Sequence, residues 1–84
     1  MILTTQAVVL DSIPYQDSSL IIRLFTEELG KISIIIKGAK RRKNNISLIT
    51  EPGNIISITL NYKSTKNLQI PSEIDLIYSP HQIH

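Results

Sequence analysis

Three stretches of the chain alternate between apolar and polar positions with the period of a β-strand. In Ser19 to Thr26, Leu20, Ile22 and Leu24 fall on one face and Ser19, Ile21, Arg23 and Phe25 on the other. A short helix competes for this segment, since Leu20 and Leu24, like Ile21 and Phe25, are four apart; the short length and abrupt ends favour a strand. In Lys31 to Lys37, Ile32, Ile34 and Ile36 oppose Lys31, Ser33, Ile35 and Lys37. In Asn54 to Asn61, Ile56, Ile58 and Leu60 are predicted inward and Ile55, Ser57 and Thr59 outward. Two weaker strands complete the set. Leu3 to Asp11 carries the apolar run Ala7 to Leu10, and Leu68 to Ile77 points Ile74 and Leu76 inward after Pro71 has demoted its middle to an edge or a bulge.

The breaks between these stretches set the connections. Asp11-Ser12-Ile13-Pro14 is expected to end the first strand, because proline cannot donate to a ladder. Glu27-Glu28-Leu29-Gly30 reads as a tight turn with Gly30 free to take positive φ, which makes a hairpin whose outer face carries Arg23, Lys31, Ser33 and Lys37. That face is expected to be solvated and basic. Gly38 to Gly53 is a long connection, in which Ile46, Leu48 and Ile49 are expected to cover one end of the core through a short helical turn. Asn61 to Asn67 is a polar turn. The pattern predicts an all-β fold: a small five-stranded Greek-key barrel of the oligonucleotide-binding type, with the long connection between strands three and four. An SH3-like barrel remains open on connection lengths alone. Residues 1–78 form the expected barrel, and residues 79–84 have no pairing signal and read as a tail.

Composition narrows the function classes. With 84 residues the chain forms one small domain, which buries only roughly 60% of its extended surface. Seventeen Ile and nine Leu against two Val and one Phe favour strands. There is no Cys, which removes disulfides, thiolate chemistry, iron–sulfur clusters and cysteine zinc sites. A secreted chain of this size usually carries disulfides, so a cytoplasmic location is expected. No apolar run approaches the roughly 20 residues that span a bilayer, and the start lacks a signal-peptide pattern. The net charge of +2 argues little by itself.

Catalytic constellations are missing. His81 and His84 share a tail without a third ligand, and Glu27 and Glu28 are adjacent solvated charges. Asp17-Ser18-Ser19 has no His in the folded body to act as a base, so Asp17 is expected to hold turn N–H groups or pair with a basic side chain. No phosphate-cradling glycine motif is present, and Asn45-Ile46-Ser47 matches a glycosylation acceptor only formally. The expectation is a non-enzyme with no cofactor and no metal.

The charge distribution is more informative than its sum. Lys37, Lys40, Arg41, Arg42 and Lys43 place five of the nine basic residues in seven positions, and Lys31 extends them along the preceding strand. A bland reading is a solvated loop; the functional reading is contact with nucleic-acid phosphates. Tyr62, Lys63 and Lys66, in the loop before the last strand, supply a second contact point in an oligonucleotide-binding barrel. Aromatics are few: Phe25, Tyr15, Tyr62 and Tyr78. Binding is therefore expected to be electrostatic first, stacking second and strongly salt-dependent. A protein-interaction barrel using Ile21, Ile35 and Ile55 as an outward patch is one alternative, and an RNA-binding barrel is another.

These residues also form a family pattern. Tyr15, Asp17-Ser18, Leu24-Phe25-Thr26, Gly30-Lys31 and Lys37-Gly38-Ala39-Lys40-Arg41-Arg42-Lys43, with Gln6-Ala7-Val8-Val9-Leu10 before them and Pro52-Gly53 after, resemble the start of the bacterial recombination mediator family RecO. The combined LFTxxxGK and KGAxR spacing carries most of the resemblance, which extends over roughly residues 3–78. It implies an oligonucleotide-binding amino-terminal barrel that binds single- and double-stranded DNA, with roles in strand annealing, displacement of single-strand-binding protein and, with RecR, recombinase loading in gap repair. Carried over, the DNA contacts are Lys31, Lys37, Lys40, Arg41, Arg42 and Lys43, with Lys40 standing where the family often has Arg. Family members usually continue through a helical region, often with a cysteine zinc site, which this sequence does not contain.

Overall fold

The computed structural model describes residues 1–39 and 46–81. Six strands and one short helix follow in the order β1 (Ile2–Tyr15), β2 (Ser19–Thr26), β3 (Gly30–Ile36), α1 (Ile46–Ile49), β4 (Ile55–Asn61), β5 (Leu68–Gln69) and β6 (Pro71–Tyr78). They make a single mixed sheet in the order β5-β3-β2-β1-β4-β6. All neighbours are antiparallel except β3 and β5, which run parallel. The sheet is unclosed, yet its two edge strands are almost contiguous in sequence, with only Ile70 between β5 and β6.

The expected alternation is realised where one face is buried. Ile22, Leu24, Ile34, Ile56, Ile58 and Leu60 are fully buried in a single cluster, with Ile32, Ile74 and Leu76 packed against it. β2 has the expected bounds. The turn into β3 is built by Thr26, whose Oγ1 accepts from Leu29 N at 2.8 Å and donates to the Gly30 carbonyl at 2.9 Å. Gly30 has φ +68, so the turn requires the left-handed conformation that glycine adopts without a Cβ penalty.

Three features differ from expectation. β1 does not stop at Asp11 but continues through Pro14 to Tyr15. Proline is tolerated there because β1 beyond Val9 pairs with β2 alone and is an edge on its other side. The fifth predicted strand is two, because Pro71 has no N–H and the chain changes partner around Ile70, from β3 to β4. Leu48 is half-exposed rather than covering the core; Ile46 alone of α1 is buried. Beyond β6, Ser79 is buried, and His81 Nε2 donates to the Pro52 carbonyl at 2.7 Å.

α1 plugs one end of the sheet and is fastened by Asn54. This fully buried amide donates through Nδ2 to the carbonyls of Leu48 and Ile49, both at 2.9 Å, while its backbone carbonyl accepts from Val9 N at 2.9 Å. Among the described residues its Oδ1 has no partner. Asn54→Ala is therefore expected to lower stability by about 1–3 kcal/mol, because two carbonyls lose their donor. Asn54→Asp is expected to cost more, since it removes the donor and adds a buried charge. Urea-unfolding midpoints of the two variants check the order.

Candidate nucleic-acid interface

The outer face of β1, β2 and β3 depends on a bulge. Val9 is opposite Leu24 and Asp11 is opposite Arg23, so Leu10 is the extra residue. Without it, Asp11 and Ile13 would share the inward phase of Ala7 and Val9. With it, Asp11 faces Arg23, and Ile13 faces Ile21, on the outside.

The first consequence is electrostatic. Arg23 Nε donates to Asp11 Oδ1 at 2.8 Å, and Nη2 donates to Oδ2, a two-point pair between half-exposed side chains. The Arg23 hydrogen bonds hold the Asp11 carboxyl below its usual range; desolvation opposes them, and the positive charges of Arg23 and then Lys31 add to the depression. Arg23 is correspondingly raised, first by its hydrogen bond to Asp11 and then by that carboxylate's charge. The hairpin face is thus less basic than its sequence suggests. Among the described residues, Asp11 rather than Asp17 is the carboxylate that meets an arginine.

The LFTxxxGK segment divides between structure and surface. Leu24 fills the core, Thr26 and Gly30 make the turn, and Phe25 and Lys31 stand opposite each other on the outer face. Phe25 is 59% exposed, and Lys31 is exposed. Lys37 follows β3 at its other end, roughly 20 Å along the strand from Lys31. It is exposed and lines a cleft of about 320 Å³ between β3 and β6, whose other wall includes Glu73 and Asp75. Lys40, Arg41, Arg42 and Lys43 lie outside the described residues.

Gln69 organises the second group. Its buried amide accepts from Lys63 N at 3.0 Å and donates to the carbonyls of Lys63 at 2.8 Å and Lys66 at 2.9 Å. This fixes the loop carrying exposed Lys63 and Lys66, which border a small cleft of about 140 Å³. Leu68 pairs with Ser33, so the loop leads onto the edge of β3 close to Lys31. Tyr62 stands apart: it is half-buried and packs against the core. Apart from Arg23, which is paired with Asp11, the described basic residues fall into Lys31, Lys63 and Lys66 toward one end of β3 and Lys37 at the other.

The apolar patch of Ile21, Ile35 and Ile55 is not continuous. Ile35 is opposite Ile21 and only 8% exposed, whereas Ile55 belongs to a different row, opposite Val8. Sequence reasoning missed Asp11 and Gln69. The unbroken run Ala7 to Leu10, which a strand with one buried face cannot accommodate without losing its alternation, was the available signal for the bulge. A single Gln between Leu68 and Ile70 was the signal for the loop staple. Among the described residues, no helix is long and apolar enough to cross a membrane.

Residues 1–80 match the family model described as Recombination protein O N terminal. Similar relatives include the DNA repair protein RecO of Pelodictyon phaeoclathratiforme, 42% identical over 80 residues, and that of Chlorobaculum parvum, 41% identical over 80 residues. Both matches cover 95% of this chain and 31% of the relative. The DNA repair protein RecO of Salinibacter ruber is 37% identical over 82 residues, covering 98% of this chain and 32% of the relative. The chain thus spans about a third of the length of the relatives it matches.

The Asp11–Arg23 pair makes a prediction with a definite sign. A depressed carboxyl stabilises the fold above its unfolded value, here 3.8, and that contribution disappears as pH falls through the lower folded value. The stability gap between the wild type and Arg23→Gln is expected to be constant at neutral and mildly acidic pH, and to close only below the ordinary carboxylate range. Unfolding midpoints across a pH series measure it, with Asp11→Asn showing no such closure relative to the double variant.

Proposed function

The chain belongs to the Recombination protein O amino-terminal family, and on that basis we propose that it binds single- and double-stranded DNA without catalysis, in recombinational repair and strand annealing. The match over residues 1–80 carries the reading, since the relatives it aligns with are DNA repair proteins. The surface supports it. Lys31, Lys63 and Lys66 flank the start of β3, Lys37 stands at its end, and the sequence continues into Lys40, Arg41, Arg42 and Lys43. Cations spread along one strand suit a polyanion better than a small anion, because each phosphate contact releases counterions independently.

The fold is read here as the oligonucleotide-binding type, a five-stranded Greek-key barrel in which β5 and β6 are two halves of one interrupted strand. Two observations favour it: β1 serves both β2 and β4, and the chain from Leu68 to Tyr78 pairs first with β3 and then with β4, the two sides a barrel must join. Partnership with RecR and single-strand-binding protein is expected only where the rest of the family architecture accompanies this domain. The proposed setting is the cytoplasm.

Fluorescence anisotropy with single-stranded and duplex oligonucleotides across a salt series tests the function. Log affinity is expected to fall linearly with log salt, and changing Lys40, Arg41, Arg42 and Lys43 to Glu is expected to abolish most binding while circular dichroism shows an intact fold. Lys31→Gln is expected to reduce the single-strand slope by about 0.7, the value for one phosphate contact. A folded wild-type chain that binds neither oligonucleotide at low salt overturns the proposal.

A further inference from the structure

One line of side chains crosses the outside of the sheet from β6 to β3. Tyr78 is opposite Ile55, Ile55 opposite Val8, Val8 opposite Phe25, and Phe25 opposite Lys31. Among its apolar members the two rings are the most open, Phe25 at 59% and Tyr78 at 57%, with Val8 at 37% and Ile55 half-buried. Between Phe25 and Ile55 the surface dips into a depression of about 240 Å³, lined also by Val8, Gln6 and Glu27. That is below the roughly 300–1,000 Å³ of drug-sized pockets and suits a single planar group. Exposed aromatic surface of this kind is unfavourable in water unless something covers it.

The shape of the line identifies what covers it. It is narrow: along the strands it is bordered by Gln6 on β1, Arg23 and Glu27 on and beyond β2, and Ser57 on β4, its end on β3 is Lys31, and it widens only at the two bulges, where exposed Leu10 follows on β1 and exposed Ile77 adjoins Tyr78 on β6. A protein partner needs a two-dimensional apolar centre ringed by polar groups. A narrow apolar track that ends on Lys31, with the Arg23 guanidinium in the next row, instead matches a ribbon that alternates flat apolar plates with anions. From Phe25 to Tyr78 is three strand spacings, about 14 Å, enough for the two or three bases that a four-stranded RNA-recognition sheet stacks.

We propose that the line from Phe25 through Val8 and Ile55 to Tyr78 is a base-stacking track for single-stranded DNA, with Lys31 and Arg23 beside it on the phosphates. The inference rests on the DNA-binding reading above and deepens it, because it assigns the part of the site that tells a single strand from a duplex. Bases in a duplex are already stacked and paired and have no free face to lay on Phe25. Gln6 and Glu27, on the rim of the depression, offer hydrogen-bonding groups to base edges, while the Glu27 carboxylate keeps phosphates on the Lys31 side. Asp11 holds the Arg23 guanidinium through two hydrogen bonds, so a phosphate gains from Arg23 only by sharing it with Asp11.

The test compares wild type, F25A, F25L, F25Y and Y78A on a single-stranded oligonucleotide and its duplex, with thermal melts to establish folding. F25A and F25L are expected to weaken single-strand binding by about tenfold, in the range of one lost base–aromatic stack, with F25Y restoring it. Y78A is expected to weaken it in the same direction. Duplex affinity and the salt slope are expected to stay unchanged, because no phosphate contact is removed. Since the chain has no Trp, F25W also supplies a single reporter, whose fluorescence is expected to be quenched by the single strand and not by the duplex. Wild-type binding that F25A leaves intact overturns the track while the DNA reading stands. Equal losses on single strand and duplex, or full retention by F25L, likewise overturn it in favour of a general apolar contact. A wild type that binds no DNA overturns both readings together.

Discussion

β1 has to supply ladder hydrogen bonds to two neighbours, and the rest of the sheet follows from how it does so. Its first half pairs with β4 and its second half with β2, overlapping only at Ala7 and Val8. A strand of 14 residues that serves two partners in this way must bend, and the extra residue at Leu10 lets it. The same bend brings Val9 onto the Gly53–Asn54 backbone, where Gly53 N donates to the Val9 carbonyl at 2.8 Å. Asn54 can then fasten α1 over the end of the core. One inserted residue thus links the ladder, the phase of the outer face and the end plug.

The outer face inherits its character from that phase change. It is organised in rows across the strands rather than in a patch: an aromatic and aliphatic row ending at Lys31, the Asp11–Arg23 row, and the row of Ile13, Ile21 and Ile35. Each row has a different chemistry, and they lie about two residues apart along the strands, roughly 7 Å. An exposed ion pair of this kind contributes little to stability on its own. Its effect is to fix where a guanidinium sits beside Phe25 and Lys31. Gln69 does the equivalent for the loop of Lys63 and Lys66, using a buried amide whose hydrogen bonds all go to backbone.

Much of this was legible in the linear chain. Strict alternation identified β2, β3 and β4 and sorted Ile22, Leu24, Ile34, Ile56, Ile58 and Leu60 inward, because the side-chain period of a strand is a local property of its backbone. The Gly30 turn and the helical turn at Ile46–Ile49 were likewise readable, and the spacing of Leu24-Phe25-Thr26 with Gly30-Lys31 pointed to the family that the match over residues 1–80 establishes. Tertiary structure alone decided the pairing of Asp11 with Arg23, the packing of Tyr62 on the core, the burial of Ile35 and the change of partner in the last strand from β3 to β4. Each of these depends on register between segments far apart in sequence, and a single bulged residue reverses which face every later side chain of its strand occupies. Periodicity says that two faces exist; only the partner strands determine which residues share one.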